Sequence, residues 1–164
     1  WGMGTNSIHM IDLVSWLIDQ GIENIKSDGV NNWIPAKRKG YYEPLGNIVV
    51  TYKDGSKLNL GCDTNDNSYK DIILVCKSKG DLFFSLNEHK GIAEFKTGYK
   101  IQGELELLSS LTTKTIEEIL LTGECNLNPL ENSIEQHLCL LNALSESWNT
   151  FNGKKDIYKF APIT

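Results

Sequence analysis

Between residues 42 and 96 the chain passes through a series of short apolar or alternating stretches joined by polar turns. Residues 42–52, 57–62, 71–77, 81–86 and 92–96 each read as a strand. Asp54-Gly55 is a two-residue hairpin signal, because both turn positions favour residues that tolerate positive φ. Lys79-Gly80 marks another turn. Parallel neighbours need a crossover of about a dozen residues or more, whereas the connections here are short and hairpin-like. An antiparallel sheet is therefore the expected centre of the fold, with the apolar run 71–77 (DIILVCK) as a central strand.

Helices flank this sheet in the sequence. Residues 7–19 carry Ile8, Ile11, Leu13, Trp16 and Leu17 at helical spacing, with Asn6 or Ser7 as N-cap and Gly21 as the stop. A short strand is expected over 22–30. A polar loop or strand start follows over 31–40, with Pro35 and the basic trio Lys37, Arg38 and Lys39. Residues 105–121 read as mostly helix, with a break near Thr112-Thr113 as an option and a capping box between Thr115 and Glu118 available to start a shorter helix. Asn128-Pro129-Leu130-Glu131 is a stronger start signal: Asn caps, Pro suits the first turn and Glu131 reaches back. That helix runs to about residue 152, Gly153 ends it, and 156–163 reads as a last strand. The sum is an α+β fold: a mainly antiparallel open sheet with helices on one face. The other face must then be solvated or paired, and the apolar 71–77 run points to a homo-oligomer formed through it.

The chain of 164 residues fits a single domain, 1–164. A net charge of −5 argues against a nucleic-acid partner, which would call for a basic excess. No apolar run approaches the ~18 residues of a membrane helix, and no signal peptide is legible, so no membrane partner is expected. The chain starts at Trp1, directly before a Gly-rich segment and a helix, and is read as a piece of a longer chain. Cys62, Cys76, Cys125 and Cys139 form no C-x-x-C clamp; free thiols in a reducing compartment, the cytoplasm, are expected. Three dispersed histidines without ligand spacing support no metal site. No G-x-S-x-G elbow supports a hydrolase.

The segment from Gly2 to Leu13 is the best candidate for chemistry. A polar, Gly-rich stretch enters a helix whose first turns hold His9. Helix N-termini favour anionic or polar ligands, and an imidazole can exchange protons near neutral pH. A lone histidine at a helix start is more often a structural or surface residue. Lys37, Arg38 and Lys39 read as a solvated loop or as a phosphate clamp, with Glu43 as a partner for one of them. Trp33 reads as packing, or as a platform for a sugar ring; Trp16 and Trp148 read as packing. His89 falls on a hairpin tip and His137 beside the apolar stripe of the last helix.

The pattern G-x-x-x-x-x-x-H-x-x-D-L-x-x-W-L resembles the opening of the C-terminal domain of the Gfo/Idh/MocA oxidoreductases, which include glucose–fructose oxidoreductases and inositol dehydrogenases. Further likenesses follow in order: Glu43-Pro44-Leu45-Gly46, Asp54-Gly55-Ser56, Gly80-Asp81-Leu82, and Asn128 to Ser133 leading to Ala143-Leu144. The resemblance implies an NAD(P)-dependent parent acting on a sugar, nucleotide-sugar or cyclitol hydroxyl. It implies an N-terminal Rossmann domain for NAD or NADP and a Glu-Lys-Pro segment with the catalytic Lys, neither of which is in these residues. Residues 1–164 would then be the substrate-binding and oligomerisation domain, binding no cofactor themselves and inactive alone. His9 takes the place of the family's catalytic His. Thr5 stands where an acidic residue often precedes it by four positions, and a hydroxyl cannot act as a carboxylate base. The candidate substrate-binding residues are Thr5, Asn6, Asp12, Trp33, Lys37 and Arg38. The alternative is a non-catalytic ligand-binding or dimerisation module.

Overall fold

The short connections do produce an antiparallel sheet. The computed structural model describes residues 2–63, 72–76, 82–86, 90–95, 97–104, 108–153 and 160–163. Seven strands follow one another across the sheet in chain order: β1 (Ile22–Pro35), β2 (Tyr42–Tyr52), β3 (Lys57–Cys62), β4 (Ile72–Cys76), β5 (Leu82–Leu86), β6 (Lys90–Phe95) and β7 (Lys100–Glu104). All neighbouring pairs run antiparallel. β4 is the middle strand, as the apolar run implied. Among the described residues three helices complete a mixed α+β fold: α1 (Met3–Ile18), α2 (Leu108–Thr122) and α3 (Leu130–Phe151).

The strand period decides where the core lies. On β2, Ile48, Val50 and Tyr52 are buried, while Val49 and Thr51 alternate to the other face. Leu58 and Leu60 of β3 continue the buried row. α1 adds Met3, Ile11, Val14 and Ile18, and α3 adds Leu140, Leu144 and Trp148, all in one cluster with the strands. Both helices thus cover one face of β1–β3. Polar side chains fix them there. The Tyr52 hydroxyl donates to the Ile11 carbonyl at 3.1 Å, and Ser27 Oγ donates to the Ala143 carbonyl at 2.7 Å. Ser145 Oγ donates to Leu141 O and accepts Ala161 N–H at 2.8 Å, which ties residues 160–163 onto α3. On the opposite face, Asn24, Lys26, Asn47, Lys57 and Asn59 are exposed. Over β1–β3 that face is polar, so an apolar pairing surface would have to come from β4–β7. The side chains of β4 and β5 lie outside the described residues, and the described ones of β7 are exposed.

Several local expectations are corrected. α1 begins at Met3, four residues before 7, and its N-cap is Gly2, not Asn6 or Ser7. It stops at Asp19, whose φ of 54° is left-handed, so Gly21 is not the stop. β1 runs through to Pro35, because three register shifts let the irregular sequence stay paired with β2. The β2–β3 turn is not a two-residue one. Gly55 has φ +82° and Asp54 is not in the left-handed region, while Tyr52 N–H bonds Ser56 O and Gly55 N–H bonds Tyr52 O. This is a three-residue loop ended by a left-handed glycine, with Asp54 accepting from Ser56 N–H and Oγ–H. α2 is continuous: Thr115 Oγ1 donates to Leu111 O inside it, so no capping box starts there. α2 also stays off the one-faced helix layer. Its described side chains are exposed except for half-buried Thr115, and Leu120 and Leu121 are 79% and 85% exposed. Pro129 caps α3, and Asn128 turns its side chain elsewhere. Of the strand expected over 156–163, residues 156–159 lie outside the described residues and 160–163 are not strand, although Tyr42 N–H donates to Pro162 O at 2.8 Å.

Candidate functional site

The first turn of α1 lies against the start of β2 and the segment 160–163. Glu43 Oε2 accepts Gly4 N–H at 3.0 Å, across 39 residues of sequence. A carboxylate at that point satisfies a free helix donor and opposes the positive end of the helix dipole. The place expected to attract an anionic ligand is therefore filled by the protein's own Glu43. The glycines allow the close approach: a Cβ on Gly4 would lie 3.2 Å from both Glu43 Oε2 and Ile163 Cβ. With Glu43 on the Gly4 N–H, the Gly2–Gly4 turn does not offer its donors as a cradle for a dinucleotide pyrophosphate. Replacing Glu43 with Ala should cost about 1 kcal/mol, the usual scale of a lost cap, and lower the melting temperature by roughly 2–4 °C. An unchanged melting temperature would show that the bond does not hold the helix start.

Thr5 and Asn6 also face inward on this turn. Thr5 Oγ1 donates to Gly2 O at 3.3 Å; Asn6 Nδ2 donates to Gly2 O at 3.1 Å and to Thr5 Oγ1 at 3.2 Å. They brace the helix start, with no described contact to His9. His9 itself is exposed and has no hydrogen-bond partner among the described residues. Asp12, one turn on, accepts a bond from Asn128 Nδ2, and Asn132 Nδ2 donates to Asn128 Oδ1 at 3.2 Å. Asp12 thus clasps the start of α3 to α1.

The remaining candidates are scattered. Trp33 is 5% exposed and packs edge-on against Trp148 at 5.1 Å, its Nε1 donating to Ser147 Oγ at 3.4 Å; it is core, not an open sugar platform. Lys37 and Arg38 are exposed on the β1–β2 turn, with Arg38 5.5 Å from the Tyr41 ring centroid. No described contact brings them to His9. Cys62, Cys125 and Cys139 are free and half-buried, and burial, with Glu135 adding to it, pushes the Cys139 thiol up. Cys76 and His89 lie outside the described side chains.

Sequence reasoning passed over one feature. A groove of about 310 Å³ runs between α1 and α3, lined by Gly4, Thr5, Ile8, His137, Leu140, Leu141 and Ile163. His137 Nδ1 lies 2.7 Å from Ser133 O. The groove draws on three distant segments, so no local motif announces it.

Among the described residues no group of His, Cys, Asp and Glu could hold a metal ion, and no helix is long and apolar enough to cross a membrane. No family model matches this chain, and no curated protein matches it either.

Proposed function

We propose that residues 1–164 are the substrate-binding and oligomerisation domain of an NAD(P)-dependent oxidoreductase acting on a sugar, nucleotide-sugar or cyclitol hydroxyl, working in the cytoplasm. The observation that carries this reading is the exposure of His9. α1 buries Met3, Ser7, Ile11, Val14 and Ile18, yet its single imidazole is left open to solvent and free of described partners. An imidazole so placed can accept a proton from a substrate hydroxyl or hydrogen-bond to it. Asp12 is a positioning residue in this reading, holding α1 against α3 through Asn128. Thr5 and Asn6 support the helix start through their bonds to Gly2 O. In this reading the cofactor and the redox chemistry belong to the rest of the parent chain.

The test is His9→Ala in the longer chain that this reading requires. Because the side chain is exposed, the fold should survive. Loss of a proton-transfer group should lower kcat about 100-fold and remove one limb of its pH profile. An unchanged kcat and pH profile would remove His9 from the chemistry.

The exposed apolar surface of α2 favours a second reading, an interaction module without catalysis. In that case His9→Ala would change no ligand binding, while substitutions at Leu120 and Leu121 would change the oligomeric state.

A further inference from the structure

We infer that the groove between α1 and α3 binds the apolar portion of a hydroxylated ligand, with His137 accepting a hydrogen bond from one of its hydroxyls. The ligand class follows from the lining. Ile8, Leu140, Leu141 and Ile163 offer only hydrocarbon, so a sugar hydroxyl pressed onto them would lose water and gain no partner. A deoxygenated edge, an alkyl group or an aromatic aglycone loses nothing there and gains burial. At about 310 Å³ the space is at the small end of ligand sites and suits a single ring.

The polar end of the groove is specified as well. Ser133 O is a carbonyl and can only accept, so His137 Nδ1 carries the proton in their 2.7 Å bond. In the neutral ring Nε2 is then an acceptor. The other polar side chain in the lining, the Thr5 hydroxyl, donates to Gly2 O and accepts from Asn6, which uses its proton and one of its two lone pairs. His137 Nε2, which makes no hydrogen bond to a described residue, is therefore the less encumbered acceptor for an incoming hydroxyl. The groove is bounded by the same α1 turns that present His9, so a ligand reacting there could rest its apolar part between the helices. This deepens the proposed function and, for the identity of the ligand as a sugar derivative, rests on it. The groove's preference for an apolar ring bearing a hydroxyl does not.

Three probes separate the possibilities: benzyl alcohol, toluene and D-glucose, titrated into the chain with labelled Ile and Leu methyl groups and followed by NMR. Benzyl alcohol should shift the methyls of Ile8, Leu140, Leu141 and Ile163 and the His137 ring. It should bind about 3–10-fold more tightly than toluene, the scale of one net hydrogen bond. D-glucose should leave the groove methyls unmoved. His137→Phe, which keeps a ring on this exposed site, should abolish the preference for benzyl alcohol over toluene. Absence of groove shifts with benzyl alcohol, equal shifts with glucose, or a preference that survives His137→Phe would each overturn the inference. His9→Ala should leave all of these shifts in place, so a failure here is separate from a failure of the kcat test on His9.

Discussion

Replacing Gly46 with Ala is expected to destabilise the fold by about 3 kcal/mol or more. Gly46 has φ +114°, a conformation that costs an L-residue roughly 1–3 kcal/mol by itself. Space adds to the penalty. A Cβ on Gly46 would lie 2.1 Å from Gly29 O and 3.1 Å from Asn31 N, both backbone atoms that cannot swing aside. The close approach arises because β1 carries extra residues opposite β2, with register shifts between Lys26 and Gly29 and between Val30 and Asn32. The bulged strand folds its backbone onto β2 at this point. Gly61 of β3 is the control: its Cβ would meet only Gly46 O, at 3.8 Å, and its φ is not positive. Urea unfolding should show a large drop in midpoint for Gly46→Ala and, for Gly61→Ala, a change within about 0.5 kcal/mol. Similar midpoints for the two variants would contradict the strained bulge. If Gly46→Ala fails to fold at all while Gly61→Ala folds, the account stands.

Trp148→Ala should cost about 3–5 kcal/mol, the range for deleting a large core aromatic. Trp148 is 5% exposed and joins three elements. Its ring centroid is 5.1 Å from that of Trp33 on β1 and 4.7 Å from that of Tyr42 on β2, and 6.2 Å from Phe151 on its own helix. Truncation would open a cavity between α3 and the sheet and remove the aromatic contacts together. Trp16→Ala should cost less, about 2 kcal/mol, because Trp16 is 49% exposed and buries only half of its side chain. Thermal or urea unfolding of the two variants decides the matter. Equal losses would mean that Trp148 is not the centre of the packing.

The two tryptophans illustrate what a sequence can and cannot say. Helical spacing placed Trp16 and Trp148 on apolar stripes alike, but only the second is buried, with its ring against Trp33 and Tyr42 of the sheet. Antiparallel pairing was legible because connection length alone limits it, and α3 was legible because its apolar spacing persists over many turns. β1 was cut short because bulges break the two-residue alternation. β7 was missed because Lys100–Glu104 is exposed throughout and carries no alternation. The start of α1 was misplaced for another reason: Glu43, 39 residues away, supplies what a local side-chain cap would have supplied. The site divides in the same way. His9 could be singled out from its place in a Gly-led helix, and the structure leaves it exposed. The inward bonds of Thr5 and Asn6, the clasp of Asp12 by Asn128, and the burial of Trp33 depend on tertiary partners. So does the groove, in which His137 matters only because α1 and residues 160–163 lie across from it.

The central claim is that these residues serve a dinucleotide-dependent oxidoreductase, and the coding sequence immediately upstream of Trp1 tests it most directly. The account predicts a strand–G-x-G-x-x-G–helix unit followed by a Glu-Lys-Pro segment, in one reading frame with residues 1–164. A start codon directly before Trp1, or an upstream domain without a dinucleotide fingerprint, would contradict it.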